Sequence, residues 1–370
     1  MNTMLSVKAR ETGLAVTFQS GETVSYPWLW LRDNAPSSFH PQTDERIFDL
    51  TSVEPTLRPH HVEAGTDAVT ILWSKDAAGD ILPRAFFDAY GPGRKRDDPA
   101  DIAPRLWDGS ISFDAIPRHA AGPIMGSDQP LLAWLKATAA HGLSIVDGLD
   151  DDPDSGKRVA ERIAFLRQTN FGTTFEVVSM PNPNNLAYTP VALPLHTDLA
   201  NQEVPPGYQF LHCIANGAAG GGSTFADGFA IAAALKAEDP EAYRLLCEVE
   251  IPFRFHDMEY DIRGRFPVIV TNRQDEVTEL RFNAHLVDVI DLPSDSAARF
   301  YSAYRKLMGM IRSERFMIAY RLKAGEMAVF DNRRVLHGRQ SFDPAMGRRH
   351  LRGCYVDRSE FLSRIRVLSR

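Results

Sequence analysis

The sequence predicts a mainly β protein with helical insertions: a jelly-roll domain over residues 106–370 behind a small β-rich domain over 1–92. Three features carry this. Short runs of β-branched and aromatic residues recur between turns marked by Gly and Pro. Helical periodicity is confined to a few segments, and many strands with helical insertions fit a jelly roll. The stretch Gly91-Pro-Gly-Arg-Lys-Arg-Asp-Asp-Pro-Ala100 mixes Pro, Gly and charge without an apolar period, which marks a linker placed at 93–105. With 370 residues, 44% hydrophobic and 24% charged, the chain can bury a large core in two domains.

In the first domain Leu14-Ala-Val-Thr-Phe18, Val24-Ser-Tyr26 and Val69-Thr-Ile-Leu-Trp73 have strand composition, punctuated by Gly21 and Gly79. Trp28 and Trp30 read as core or domain-interface residues. In the second, Ser127 or Asp128 caps a helix with Pro130 in its first turn, and Gly142 closes it. Leu143-Ser-Ile-Val146 follows as a buried strand. A second amphipathic helix runs from Ser155 to Arg167, with Val159, Ile163 and Leu166 on one face. From about Phe175 the pattern turns to strands, with helical insertions near Gly228–Val249 and Pro293–Ser313. Phe316–Leu322 and Glu326–Phe330 are strands leading to the next feature.

The net charge of -7 gives no reason to expect nucleic acid or an anionic membrane as partner. The three cysteines, Cys213, Cys247 and Cys354, are scattered and imply no disulfide framework, which fits a reducing, cytoplasmic compartment. Met1–Ser20 lacks the pattern of a signal peptide, and no apolar run reaches membrane-spanning length.

The chemistry is concentrated in two places. In Leu193-Pro-Leu-His196-Thr-Asp198 a His and a carboxylate two residues apart share a face if the segment is a strand. Taken alone, a His-x-Asp pair is common by chance. A second imidazole follows in Val335-Leu-His337-Gly-Arg. Two imidazoles and one carboxylate on one face of a metal suit non-haem Fe(II) and dioxygen chemistry. Beyond His337, Asp343-Pro344 and Gly347 supply a turn, so 335–355 is expected to form a hairpin. On its returning strand Arg349, Leu351, Gly353 and Tyr355 share a face. A guanidinium at Arg349 can clamp a carboxylate bidentately, and Gly353 is expected to keep the face open. Without His337 upstream, Arg349 reads as a solvated member of a basic run with Arg348 and Arg352.

With these segments in place, the chain resembles the Fe(II)/2-oxoglutarate dioxygenases of the taurine dioxygenase superfamily, most closely the γ-butyrobetaine and trimethyllysine hydroxylase branch. The resemblance is carried by Trp28-Leu-Trp-Leu-Arg-Asp-Asn34, Asn184-Asn-Leu-Ala-Tyr188, Leu195-His-Thr-Asp198, Pro206–Cys213, Gly221–Gly228 and Phe330–Tyr355, in the family's order over nearly the whole chain. It implies a double-stranded β-helix for the jelly roll. It implies Fe(II) on His196, Asp198 and His337, 2-oxoglutarate as cosubstrate clamped by Arg349 and organised by Asn185 and Thr224, and dioxygen as oxidant. It implies a homodimer. Phe171, Phe175, Tyr188 and Tyr355 fall where the family cages a trimethylammonium group; the family pattern has Tyr and Trp where this chain has Phe171 and Phe175, which read equally as core. At the anion end the family carries two adjacent asparagines, where this chain has Asn283, Ala284 and then His285, with Arg281 nearby. That change tilts the expected substrate from γ-butyrobetaine to 2-(trimethylammonio)ethylphosphonate. A cysteine-built zinc site follows Arg-Asp-Asn in the family; here the matching positions are Ala35, Ser37 and His40, so no zinc is expected. His212, His256 and His350 read as structural histidines. Two readings from other classes are weighed: a zinc hydrolase on the same triad, which leaves Arg349 unexplained, and a non-catalytic quaternary-ammonium binding module, which leaves the triad unexplained.

Overall fold

The computed structural model describes residues 4–76, 78–94, 96–179 and 189–370. The chain divides into two compact units, Met1–Asp98 and Pro99–Arg370.

The first unit holds two antiparallel three-stranded sheets, Met4–Ala9/Gly13–Phe18/Thr23–Pro27 and His61–Ala64/Ala68–Leu72/Asp80–Pro83. Their apolar faces meet over Leu14, Val16, Phe18, Tyr26, Val69 and Ile71. Trp28 is buried in the same core and donates from its indole N–H to the Arg10 carbonyl, 3.1 Å. At the positions where the family carries cysteines a polar network stands instead. Asp80 accepts from the Ser37 backbone N–H, the Ser37 hydroxyl and the Trp73 indole, each at 2.8 Å. Ala35 is fully buried, so hydrogen bonds to a nearly buried carboxylate, as well as apolar packing, tie this loop down.

The second unit is the jelly roll. A six-stranded sheet runs in the order Arg118–Ala120, Leu143–Asp147, Met327–Asp331, Tyr208–Asn216, Arg349–Val356, Thr174–Val177. A four-stranded sheet runs Leu193–His196, Val335–Arg339, Ser223–Asp227, Met317–Tyr320. Period-two alternation sends each strand's side chains to two different cores. Ala328, Phe330, Leu211 and Leu351 of the larger sheet meet Phe225, Val335 and Ile318 of the smaller one. Met327, Val329, Phe210, Cys354 and Val356 turn the other way, onto helices Asp128–His141 and Arg358–Leu368. Leu195, Ala226 and Leu336 of the smaller sheet turn onto helices Gly228–Glu238, Pro240–Glu248 and Ser294–Ile311. Each fully buried Leu or Phe of these layers contributes about 1.5–3 kcal/mol.

Several expected elements change shape. The insertion over 228–249 is two helices, because Asp239 caps the second by accepting from the Ala242 N–H at 3.0 Å with Pro240 in its first turn. The helix begun at Ser155 ends at Glu161. Arg167 lies beyond it, committed elsewhere: its N–H donates to the Tyr355 carbonyl, 2.9 Å, and its guanidinium pairs with Asp357, 2.7 Å. Asp128–His141 stops at Gly142, whose φ of 73° is left-handed. The expected hairpin over 335–355 is corrected. Val335–Arg339 belongs to the four-stranded sheet and Arg349–Val356 to the six-stranded one, so the turn chemistry at Asp343–Gly347 carries the chain between sheets.

A buried ion pair ties these layers together. Both carboxylate oxygens of Asp227 accept from Arg334, at 3.0 and 2.8 Å, with neither side chain reaching solvent. The same guanidinium donates to the carbonyls of Ala140 and Arg105, and Asp227 caps the helix at Gly228 through the Phe229 N–H. Asp227→Ala leaves a buried cation unpaired and is expected to destabilise the protein by about 3–5 kcal/mol, read as a lowered urea midpoint. A midpoint equal to wild type would mean that this pair does not support the fold.

Candidate active site

His196 and His337 are cross-strand partners on the first two strands of the smaller sheet. That register brings their ring centroids to 4.4 Å. The strand ends at His196, so a local turn, rather than strand parity, delivers Asp198. Leu199, at a left-handed φ of 55°, lies in that turn. Its backbone is pinned from outside. Thr197 N–H donates to the Phe282 carbonyl at 2.7 Å, Asp198 N–H to Asn332 Oδ1 at 2.7 Å, and Asn332 Nδ2 back to the Asp198 carbonyl at 3.1 Å.

Asp198 Oδ1 then lies 3.2 Å from His196 Nε2 and 3.6 Å from His337 Nε2. Among the described residues these three form the one such metal-ligating cluster, with donor atoms all within 4.8 Å of each other. Donors so spaced fit a metal held about 2 Å from each. The protonation states fit as well. His196 Nδ1 lies 2.9 Å from the Pro194 carbonyl, so an Nδ1–H there leaves the Nε2 lone pair for a metal. Burial pushes the His337 imidazole down to about 3, which keeps it neutral. Burial works against the Asp198 carboxylate, but His337, His196 and the Tyr355 hydroxyl outweigh it and hold the group well below the usual carboxylate range. Neutral imidazoles and an ionised carboxylate are the forms that bind metal.

The triad opens into a cavity of about 360 Å³. Arg349 lines it, with Nε donating to the Gly221 carbonyl at 3.2 Å. Burial, with the neighbouring Arg339, pushes its guanidinium down to about 10, still a cation at neutral pH. Gly221 is required for this approach: its φ is 69°, and a Cβ there would fall 2.9 Å from Arg349 Cδ. Arg339 also faces the cavity, two residues after His337, a period-two signal that sequence reasoning passed over. Thr224, expected at the cosubstrate, does not line the cavity; strand alternation turns its neighbour Ser223 inward and Thr224 against Gly338.

Aromatic rings form another wall. Phe175 and Tyr355 stack at 5.1 Å, and Phe171 meets Phe255 edge-on at 5.3 Å. Phe255 escaped the sequence reading because the hairpin Ile251–His256/Asp261–Phe266 brings it in from far along the chain. Gly353 plays a different part from the one expected. It pairs with Phe175, and a Cβ on it would fall 2.3 Å from Phe175 Cζ, so it makes room for that ring rather than for the metal. Tyr355 does more than present a face: its hydroxyl donates to Asp198 Oδ2 at 2.6 Å. Asn185 and Tyr188 lie outside the described residues.

At the expected anion end, Asn283 and His285 line the cavity. The Asn283 amide is engaged with backbone, donating to the Thr197 carbonyl and accepting from the His285 N–H, both at 3.1 Å. Burial, above all, with the Arg312 guanidinium nearby, pushes His285 down from its ordinary pKa. Arg281, nearby in sequence, lies off the cavity, paired with Glu279, donating to the carbonyls of Gln202 and Glu203, and stacked on Phe266. Of the histidines read as structural, His350 pairs with Glu176 and His212 is buried, whereas His256 lines the cavity.

A jelly roll carrying two histidines and one carboxylate beside a deep cavity defines a non-haem metal oxygenase. Residues 120–355 match the taurine catabolism dioxygenase TauD, TfdA family, and residues 5–82 match the γ-butyrobetaine hydroxylase-like N-terminal family. The chain belongs to the TauD, TfdA family and is an Fe(II)/2-oxoglutarate-dependent dioxygenase. It is 40% identical to a γ-butyrobetaine dioxygenase of Pseudomonas sp. strain AK-1, over 99% of this chain and 96% of that protein. It is 26% identical to the human γ-butyrobetaine dioxygenase, over 96% and 94%. It is 30% identical to a trimethyllysine dioxygenase of Neurospora crassa, over 94% and 81%. The fold is that of the non-heme iron oxygenase OrfP in complex with Fe, succinate and (3S)-hydroxy-L-Arg: TM-score 0.50 at 15% identity, over 65% of this chain and 94% of that one. Among the described residues no helix is long and apolar enough to cross a membrane.

Proposed function

We propose that this enzyme hydroxylates γ-butyrobetaine to carnitine, with His196, Asp198 and His337 holding iron and Arg349 clamping the far carboxylate of 2-oxoglutarate. The observation that carries the substrate class is the aromatic wall of Phe171, Phe175, Tyr355 and Phe255 in the same cavity as the triad. A trimethylammonium group donates no hydrogen bonds, so polar walls gain little around it, whereas aromatic faces attract its charge. Identity of 40% over the full chain to a γ-butyrobetaine dioxygenase supports the carboxylate zwitterion. The phosphonate favoured on sequence grounds rested on Ala284 with His285. Arg281, paired with Glu279, lies off the cavity and adds no charge to this end.

The division of labour follows. Iron supplies the coupled oxidation, in which 2-oxoglutarate, dioxygen and a substrate C–H become succinate, carbon dioxide and a C–OH. Arg349 fixes the cosubstrate by a planar fork that matches a carboxylate. The aromatic wall orients the cationic head and excludes water. We further place the enzyme in the cytoplasm, on its three scattered cysteines, and make it a homodimer on the family resemblance.

The test is a binding titration of γ-butyrobetaine and of its uncharged tert-butyl isostere. Wild type is expected to favour the cation by at least about tenfold, since a desolvated cation–π contact is worth about 2 kcal/mol and 1.4 kcal/mol is one decade. At saturating Fe(II), Tyr355→Leu should erase most of that preference and spare 2-oxoglutarate binding. Equal affinity of wild type for the two compounds would remove the trimethylammonium class and leave the iron chemistry standing.

A further inference from the structure

We propose that Tyr355 is a positioning residue for the carboxylate of the metal site, a role separate from its face in the substrate cavity. The inference rests on the reading of His196, Asp198 and His337 as iron ligands. Its basis is a division of labour between the two oxygens of Asp198. Oδ1 is the oxygen near both imidazoles, 3.2 Å from His196 Nε2 and 3.6 Å from His337 Nε2. Oδ2 accepts the Tyr355 hydroxyl at 2.6 Å, a short bond to an anion.

The donor is held by a different sheet from the acceptor. Tyr355 lies on Arg349–Val356 of the six-stranded sheet, in register with Gln209, whereas the histidines lie on the four-stranded sheet. Its ring is buried, and its carbonyl accepts from the Arg167 N–H at 2.9 Å. Asn332 fixes the Asp198 backbone independently. With main chain and outer oxygen both pinned, the carboxylate has one orientation and offers one oxygen. A carboxylate that binds through one oxygen keeps the donor set at three, leaving the remaining positions to the keto acid and dioxygen. Outer partners of this kind tune metal affinity as well as orientation.

Tyr355→Phe removes the hydroxyl and keeps the ring, which separates the two roles. The experiment is an anaerobic Fe(II) titration of wild type, Tyr355→Phe, Phe175→Leu and His337→Ala. Loss of the hydroxyl is expected to raise the Fe(II) dissociation constant about tenfold, the lower end of the effect of outer partners. Phe175→Leu, which removes the stacking ring and leaves the hydroxyl, should stay within roughly twofold of wild type. The cation preference in the tert-butyl titration should survive in Tyr355→Phe. A Tyr355→Phe affinity within roughly twofold of wild type, or an equal loss in Phe175→Leu, would overturn the proposal. His337→Ala tells the two failures apart: if it binds Fe(II) like wild type, the ligand reading itself falls, and the role of Tyr355 with it.

Discussion

Asp198→Ala is expected to give a folded protein that has lost Fe(II) affinity by at least about 100-fold and shows no measurable 2-oxoglutarate turnover. Loss of an outer partner alone costs about 10- to 100-fold, and here an anionic ligand itself is removed. The fold should survive, because the Asp198 backbone N–H and carbonyl, not its side chain, make the bonds to Asn332. What remains at the metal is two neutral imidazoles, with nothing to offset a divalent charge. Circular dichroism checks the fold, and anaerobic Fe(II) binding with succinate release checks the site. Full 2-oxoglutarate-dependent activity in this variant would show that Asp198 is no ligand.

Arg349→Lys should raise the KM for 2-oxoglutarate by at least about tenfold while changing kcat less. The substitution keeps the charge but replaces a planar fork with a single ammonium, and two parallel hydrogen bonds become one. The site gives the lysine little freedom to compensate. Arg349 is buried, its Nε is anchored on the Gly221 carbonyl, and Gly221 packs directly on its stem. Steady-state kinetics in 2-oxoglutarate at saturating Fe(II) measures the effect. An unchanged KM would place Arg349 away from the cosubstrate.

What was legible in the sequence was what local chemistry dictates. His196 and Asp198 stood out by residue type and short spacing, His337 by residue type and the Arg349 segment after it, and the structure brings the three within 4.8 Å. Asp128–His141 was readable from its termini, because Gly142 needs a left-handed backbone. What stayed hidden depends on which strands become neighbours. Period two put Tyr355 on Arg349's face, but not its hydroxyl on Asp198, which requires the two sheets to face each other. The same blindness made 335–355 look like a hairpin, since turn residues serve a sheet-to-sheet crossing equally well. Gly353 was misread because its partner Phe175 is a cross-strand neighbour nearly 180 positions away. Nearness in sequence to Asn283 left the role of Arg281 open, and Glu279 and the carbonyls of Gln202 and Glu203 claim it. Thr224 was placed at the cosubstrate by family position, whereas strand alternation turns its neighbour Ser223 into the cavity.

The most direct test of the account is the stoichiometry of a single reaction. Purified protein, reconstituted with Fe(II), is given 2-oxoglutarate, dioxygen and γ-butyrobetaine, and succinate and hydroxylated product are counted together. The account predicts equal amounts of both, dependent on iron, and little succinate when the tert-butyl isostere replaces the substrate. Substrate conversion that proceeds without 2-oxoglutarate, or with zinc in place of iron, would contradict it.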